Sequence, residues 1–134
     1  MVRAMILEPG KHAEVRFICP KKIAELVDGC PEFTVPHEGI CIAVNEEGKI
    51  KGLPLNRSLV GDDGEILDIF AGTMVILRCD AEEEICSLTD EQVVSLLAEF
   101  GEPETPDDWV EDDIDLTRED LHRILDEVID KFFS

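Results

Sequence analysis

Between Glu102 and Asp115 the chain reads EPETPDDWVEDDID: eight carboxylates, two prolines and no basic residue. A run of this kind repels itself and lacks the side chains that nucleate a helix or a strand, so no core can be built through it. The fold has to be assembled from what precedes it, with whatever follows attached as a separate segment. The 134 residues suit one ordinary domain rather than two. Charge divides the chain in a similar way: residues 1–80 hold 9 basic and 13 acidic side chains, whereas residues 81–134 hold 3 and 19. The organisation expected is a core domain over 1–80 and an acidic helical extension over 81–134, with a loop at 102–116.

Before the acidic run the patterning is mixed. Arg3 to Leu7 and Glu14 to Ile18 read as two strands around the turn Glu8-Pro9-Gly10, which makes an opening hairpin. Lys21 to Val27 spaces Ile23, Leu26 and Val27 as a short helix, stopped by Asp28-Gly29. Ile40 to Val44 is a continuous apolar run ending at the turn Asn45-Glu46-Glu47-Gly48, and a short return strand is expected from Lys49 to Leu53. Asp62-Asp63-Gly64-Glu65 is a further turn, and Thr73 to Cys79 has the composition of a buried strand. The fold class predicted is α+β: a small, mostly antiparallel sheet with a short helix, followed by an acidic C-terminal helical segment.

That segment contains two helical patterns. Thr89 and Gln92 fit a capping box, Val93, Val94, Leu96, Leu97 and Phe100 form an apolar stripe, and Gly101 is expected to supply the stop. Thr117 with Asp120 caps a second helix, in which Leu121, Ile124, Leu125, Val128, Ile129 and Phe132 recur at three and four residues. Its apolar face needs cover from the domain, from the preceding helix, or from a second copy in a homodimer.

Catalytic and cofactor motifs are missing from the sequence. Nothing matches a phosphate-binding glycine loop, a nucleophile elbow or an HExxH metal helix. The five cysteines, Cys19, Cys30, Cys41, Cys79 and Cys86, contain no CxxC pair, so neither a disulfide framework nor a four-cysteine zinc site is indicated. If residues 37–41 form one strand, His37 and Cys41 share a face with Cys30 upstream; two or three ligands at irregular spacing read better as ordinary packing than as zinc. The same two residues fit a Cys–His catalytic pair only if a third group orients them, and none can be assigned. A calcium loop started at Asp113 fails, with Arg118 where glycine belongs and Ile124 where a bidentate glutamate belongs. The sequence therefore predicts no enzyme, no cofactor and no metal.

The net charge of −20 argues against direct binding of nucleic acid or an anionic membrane, since each phosphate contact needs a cation. No apolar stretch is long enough to span a bilayer, and the opening MVRAMILEPG is too short for a secretory signal, so a cytoplasmic location is expected. Partners should be basic. Asp90, Glu91, Glu119 and Asp120 have a local explanation in first helical turns. The acids of the run do not, and Asp126, Glu127 and Asp130 extend them along a helix face at spacings comparable to a phosphate backbone. The partner-binding residues predicted are Asp107, Asp108, Glu111, Asp112, Asp113, Asp115, Asp126, Glu127 and Asp130, with Trp109 as an apolar anchor.

Three stretches, LEPG at Leu7 to Gly10, AVNEEGKIKGLPLNRSL from Ala43 to Leu59 and DGEILDIFAGTMVIL from Asp63 to Leu77, resemble a family of small uncharacterised proteins carried on phages, plasmids and conjugative elements, mostly of Gram-positive bacteria. The resemblance covers about residues 1–80 and implies a bacterial host cell but no activity. Read physically, Gly48, Gly64 and Gly72 permit turns or close approach, Pro54 fixes a bend, and Asn56, Arg57 and Asp68 form a local polar network. Joined to the acidic extension, the resemblance leads to an expected function. The protein would inhibit a nucleic-acid-binding host defence effector, a CRISPR nuclease or restriction enzyme, by mimicking nucleic acid. The competing expectation is a small non-catalytic adaptor whose first 80 residues bind a peptide or small ligand while the acidic part only solubilises it.

Overall fold

The apolar run ending at Cys79 supplies the central strand. The computed structural model describes residues 1–61, 63–82 and 84–104, and in it β7 (Met74–Cys79) pairs with β1 (Val2–Leu7) on one side and β4 (Ile40–Asn45) on the other. Outside these lie β2 (Glu14–Ile18) and β3 (Pro31–His37), giving the all-antiparallel order β2-β1-β7-β4-β3. The short β8 (Ile85–Cys86) continues the sheet beside the end of β7. A second, two-stranded sheet is made by β5 (Leu55–Val60) and β6 (Ile66–Ala71). Helix α1 (Ile23–Leu26) and helix α2 (Asp90–Phe100) complete the described elements. The sheet and its helices bear out the α+β expectation. The second helix expected after Thr117, and residues 105–116 of the loop expected at 102–116, lie outside the described residues.

Because side chains alternate across a pleated sheet, both faces of the three inner strands have to be covered. On one face Met5, Leu7, Ile42, Val44, Met74 and Ile76 pack with Phe70 of β6 and with Leu88, Leu96 and Phe100 at α2. On the other, Ala4, Ile6, Cys41, Ala43, Val75 and Leu77 pack under Ile23 and Val27 of the α1 segment. The connection from β2 to β3 joins opposite edges of the sheet, and α1 crosses this second face on the way. Packing continues past residue 80, where the charge changes, since α2 closes the first core and the backbone N–H of Ala13 donates to Gly101 O.

Several local readings are corrected by the structure. The helix expected over 21–27 is a 3₁₀ turn at Pro20–Lys22 running into the single turn of α1. It stops where expected, with Asp28 at φ 58° and the Gly29 N–H returning to Ala24 O. Asn45 fastens that stop, its Nδ2 donating to Val27 O at 3.0 Å and to Asp28 O at 2.8 Å. A Cβ on Gly29 would fall 2.7 Å from that nitrogen, so glycine is required there. Residues 46–52 form consecutive turns instead of a return strand; Gly52 takes φ 71°, and extended pairing starts only after Pro54. Four strands the sequence concealed are β3, β5, β6 and the two-residue β8. The capping box of α2 is present as read, with Thr89 Oγ1 accepting from Gln92 N at 3.2 Å. Helix α2 stops at Gly101 as expected, with that residue at φ −60° and its carbonyl accepting from the Ala13 N–H.

The layers are joined by two buried polar residues of β5. Asn56 Nδ2 donates to Leu7 O and Gly72 O, both at 2.8 Å. The Arg57 side chain, fully buried, donates from Nε to Phe100 O at 2.9 Å, from Nη1 to Glu8 O at 3.2 Å and Asn56 Oδ1 at 2.7 Å, and from Nη2 to Lys11 O at 2.7 Å. Replacing it orphans several carbonyls in a dry site, each at about 1–3 kcal/mol. Arg57→Ala is expected to destabilise the domain by about 4 kcal/mol, read as a lowered urea midpoint, and Arg57→Lys to recover less than half of the loss.

Candidate functional site

Strand β3 is an edge, and a concave surface opens on each side of it. Its register with β4 puts Phe33 opposite Ala43 and Glu32 opposite Val44, so alternate residues point to the two faces. Phe33 and Val35 line the first cleft, a cavity of about 320 Å³ completed by Cys41, Cys79 and Ile85, on the face α1 crosses. Phe33 is 46% exposed and Val35 60%, so this apolar patch faces water.

Glu32 and Thr34 line the second cleft, about 210 Å³, with Val44, Ile50 and Phe70 as its apolar part and Glu46, Lys49 and Asp68 as its charged part. Lys49 Nζ pairs with Asp68 Oδ1, joining the turn after β4 to β6. The Cys30 thiol donates to the Glu46 carboxylate, which holds that thiol above its ordinary range. The second cleft thus presents three carboxylates and one ammonium around an apolar floor.

Burial, and then the neighbouring Cys79 thiol, push Cys41 up to about 12, so it stays protonated at neutral pH. All five cysteines are free thiols. His37 and Cys41 are separated by the structure. His37 closes β3 and Cys41 lies in β4 across the Glu38-Gly39 turn, with the two side chains on opposite faces. The His37 ring instead meets the Glu99 carboxylate of α2 at 3.1 Å. Among the described residues no group of three His, Cys, Asp or Glu side chains is placed to hold a metal ion.

The polar network expected of Asn56, Arg57 and Asp68 forms only in part, because Asp68 faces the turn at Lys49 and not the Arg57 node. Burial lowers the Arg57 guanidinium, opposed by the nearby Glu104 and Glu102 carboxylates. Glu104 itself accepts from the Ser58 backbone N–H at 3.1 Å and from the Ser58 hydroxyl. This ties the last described residue to β5, a contact with no short-range sequence signal. In the turn after β7, backbone N–H donation from Glu84 and Glu82 holds the Asp80 carboxyl below its usual range.

The residues predicted to bind a partner, Asp107, Asp108, Trp109, Glu111, Asp112, Asp113, Asp115, Asp126, Glu127 and Asp130, all lie outside the described residues. The described surface shares their sign. Of the nine lysines and arginines among the described residues, six form ion pairs within the chain: Arg3 with Asp90, Lys11 with Glu8, Arg16 with Glu14, Lys22 with Glu25, Lys49 with Asp68 and Lys51 with Glu47. Arg57 is buried and Arg78 donates to Ser87 O. No described helix is long and apolar enough to cross a membrane.

A thiol that ionises near 9.0 when free and near 12 in the native state binds more protons folded than unfolded across that interval. Stability is therefore expected to fall as pH rises from 9.0 toward 12, with no tyrosine to titrate alongside. The difference between wild type and Cys41→Ala in urea midpoint against pH isolates this contribution.

Residues 2–101 match the family described as a domain of unknown function (DUF3846), and the chain belongs to that family. Comparison with curated proteins and with solved structures found no match.

Proposed function

We propose that this family member is a non-catalytic, acidic binding protein that inhibits a basic, nucleic-acid-binding effector by occupying the surface the effector uses for DNA or RNA. The host defence nucleases, CRISPR effectors and restriction enzymes, are the target class in this reading. The observation that carries it is the disposal of positive charge. With most cations of the domain paired to its own carboxylates or buried, the outward field is set by the remaining acids, and the eight between Glu102 and Asp115 concentrate it at one end of the chain. Such a field steers a basic partner into contact and makes association fast and salt-sensitive.

Asp107, Asp108, Glu111, Asp112, Asp113, Asp115, Asp126, Glu127 and Asp130 act electrostatically in this reading, and Trp109 supplies apolar contact. The second reading, an adaptor that binds through the folded domain, is favoured by one observation, the pair of clefts beside β3.

The full-length protein is used as bait in a defence-competent host lysate at about 150 mM salt, where the Debye length is ~8 Å, and the recovered effector is assayed for nucleic-acid binding. Reversing Asp107, Asp108, Asp112 and Asp113 to lysine should abolish both capture and inhibition. Unchanged inhibition removes the mimic, and a partner retained by the reversed chain selects the adaptor.

A further inference from the structure

We propose that the free side of β3 is a docking edge for an extended segment of a basic protein, one whose side chains alternate between apolar and basic. It rests on the reading above only for the sign of the partner's charge.

Three observations converge on this edge. First, β3 ends the sheet, and among the described residues no strand pairs with its outer side. Pro31 and Pro36 bracket the residues between them, and the register with β4 shifts after Thr34. Prolines and bulges of this kind stop an edge from pairing without limit, and here they leave the short stretch Glu32 to Val35 between them.

Second, the two clefts lie on opposite sides of that same stretch. A strand laid against β3 continues the pleat, so its successive side chains point alternately to the two faces. One set falls beside the exposed Phe33 and Val35, above Cys41, Cys79 and Ile85. The other falls beside Glu32 and Thr34, toward Glu46, Asp68 and the 80% exposed Ile50. Apolar side chains suit the first set. Lysine or arginine suits the second, with its aliphatic stem against Ile50 and its charge toward Glu32 and Glu46, since Asp68 of the same cleft is paired with Lys49.

Third, the charge selects the occupant. A second copy of this chain would bring its own Glu32 and its own net charge of −20 to the edge, so self-pairing is opposed, whereas a basic segment is drawn in.

The test compares two fluorescent peptides of equal length and composition on the full chain: one alternating valine and lysine, the other with all valines preceding all lysines. Attraction by net charge treats them alike. Docking on β3 makes the alternating peptide bind at least about tenfold tighter by anisotropy, a difference of about 1.4 kcal/mol. It also slows amide exchange over Glu32 to Val35.

Phe33→Ser with Val35→Ser, both solvent-facing positions that leave the buried core intact, should erase the preference, and Glu32→Lys should weaken the alternating peptide. Equal affinity of the two peptides overturns the proposal, as does a preference that survives Phe33→Ser with Val35→Ser, or a dimer formed through β3. The chain with Asp107, Asp108, Asp112 and Asp113 reversed to lysine should keep the preference. Loss of effector capture in that chain therefore bears on the acidic run alone, and loss of peptide preference in the Phe33→Ser, Val35→Ser chain bears on the edge alone.

Discussion

Burying a guanidinium in a dry interior demands that its N–H groups all find acceptors, and the acceptors Arg57 finds belong to segments far apart in sequence. They are the turn after β1, the loop before β2 and the C-terminal end of α2. Its neighbour Asn56 adds the end of β1 and the turn before β7. The small β5–β6 sheet is thereby fixed to the main sheet and to α2 through backbone carbonyls, which persist whatever side chains surround them. Arginine is the residue that can do this, since no other side chain offers five donors in a rigid planar array without ever losing its charge. The second cleft depends on the same node, because Asp68 and Phe70 reach β3 only as long as their hairpin is held in place.

What could be read from the sequence follows from how local each signal is. Strands β4 and β7 show as continuous apolar runs because both faces of the sheet are covered, and α2 shows as a capped amphipathic stripe. Strand β3 is hidden by Pro31 and Pro36, which argue against a central strand and are tolerated here because this one is an edge. Strand β5 is hidden by Asn56, Arg57 and Ser58 at its centre, buried polar residues whose partners are too distant in sequence to be guessed. The separation of His37 from Cys41 turns on one fact of topology, a hairpin reversal at Glu38-Gly39 where a single strand was assumed.

The sign of the candidate surface is a matter of composition, and its shape is not. Net charge is what leads to the proposal of a basic partner, whereas the two clefts are made by residues from β3, β4, β6, β7, β8 and the turn at 46–52, brought together only by the strand order. Internal ion pairing also alters what composition implies. Lysines and arginines that would dilute a negative surface spend their charge on neighbouring carboxylates, so the field felt by a partner is set by acids that lack such a neighbour.

Glu104 gives the acidic run a fixed origin. Its carboxylate, held by the Ser58 backbone and hydroxyl, ties the last described residue to β5, so the thirty residues that follow start from one defined place on the domain. A partner that touched both the β3 edge and the acidic run would meet the second contact as an intramolecular event. Two contacts, each weak and quickly broken, would then hold as one durable attachment, and cutting the chain after Glu104 would release the partner without altering the β3 edge.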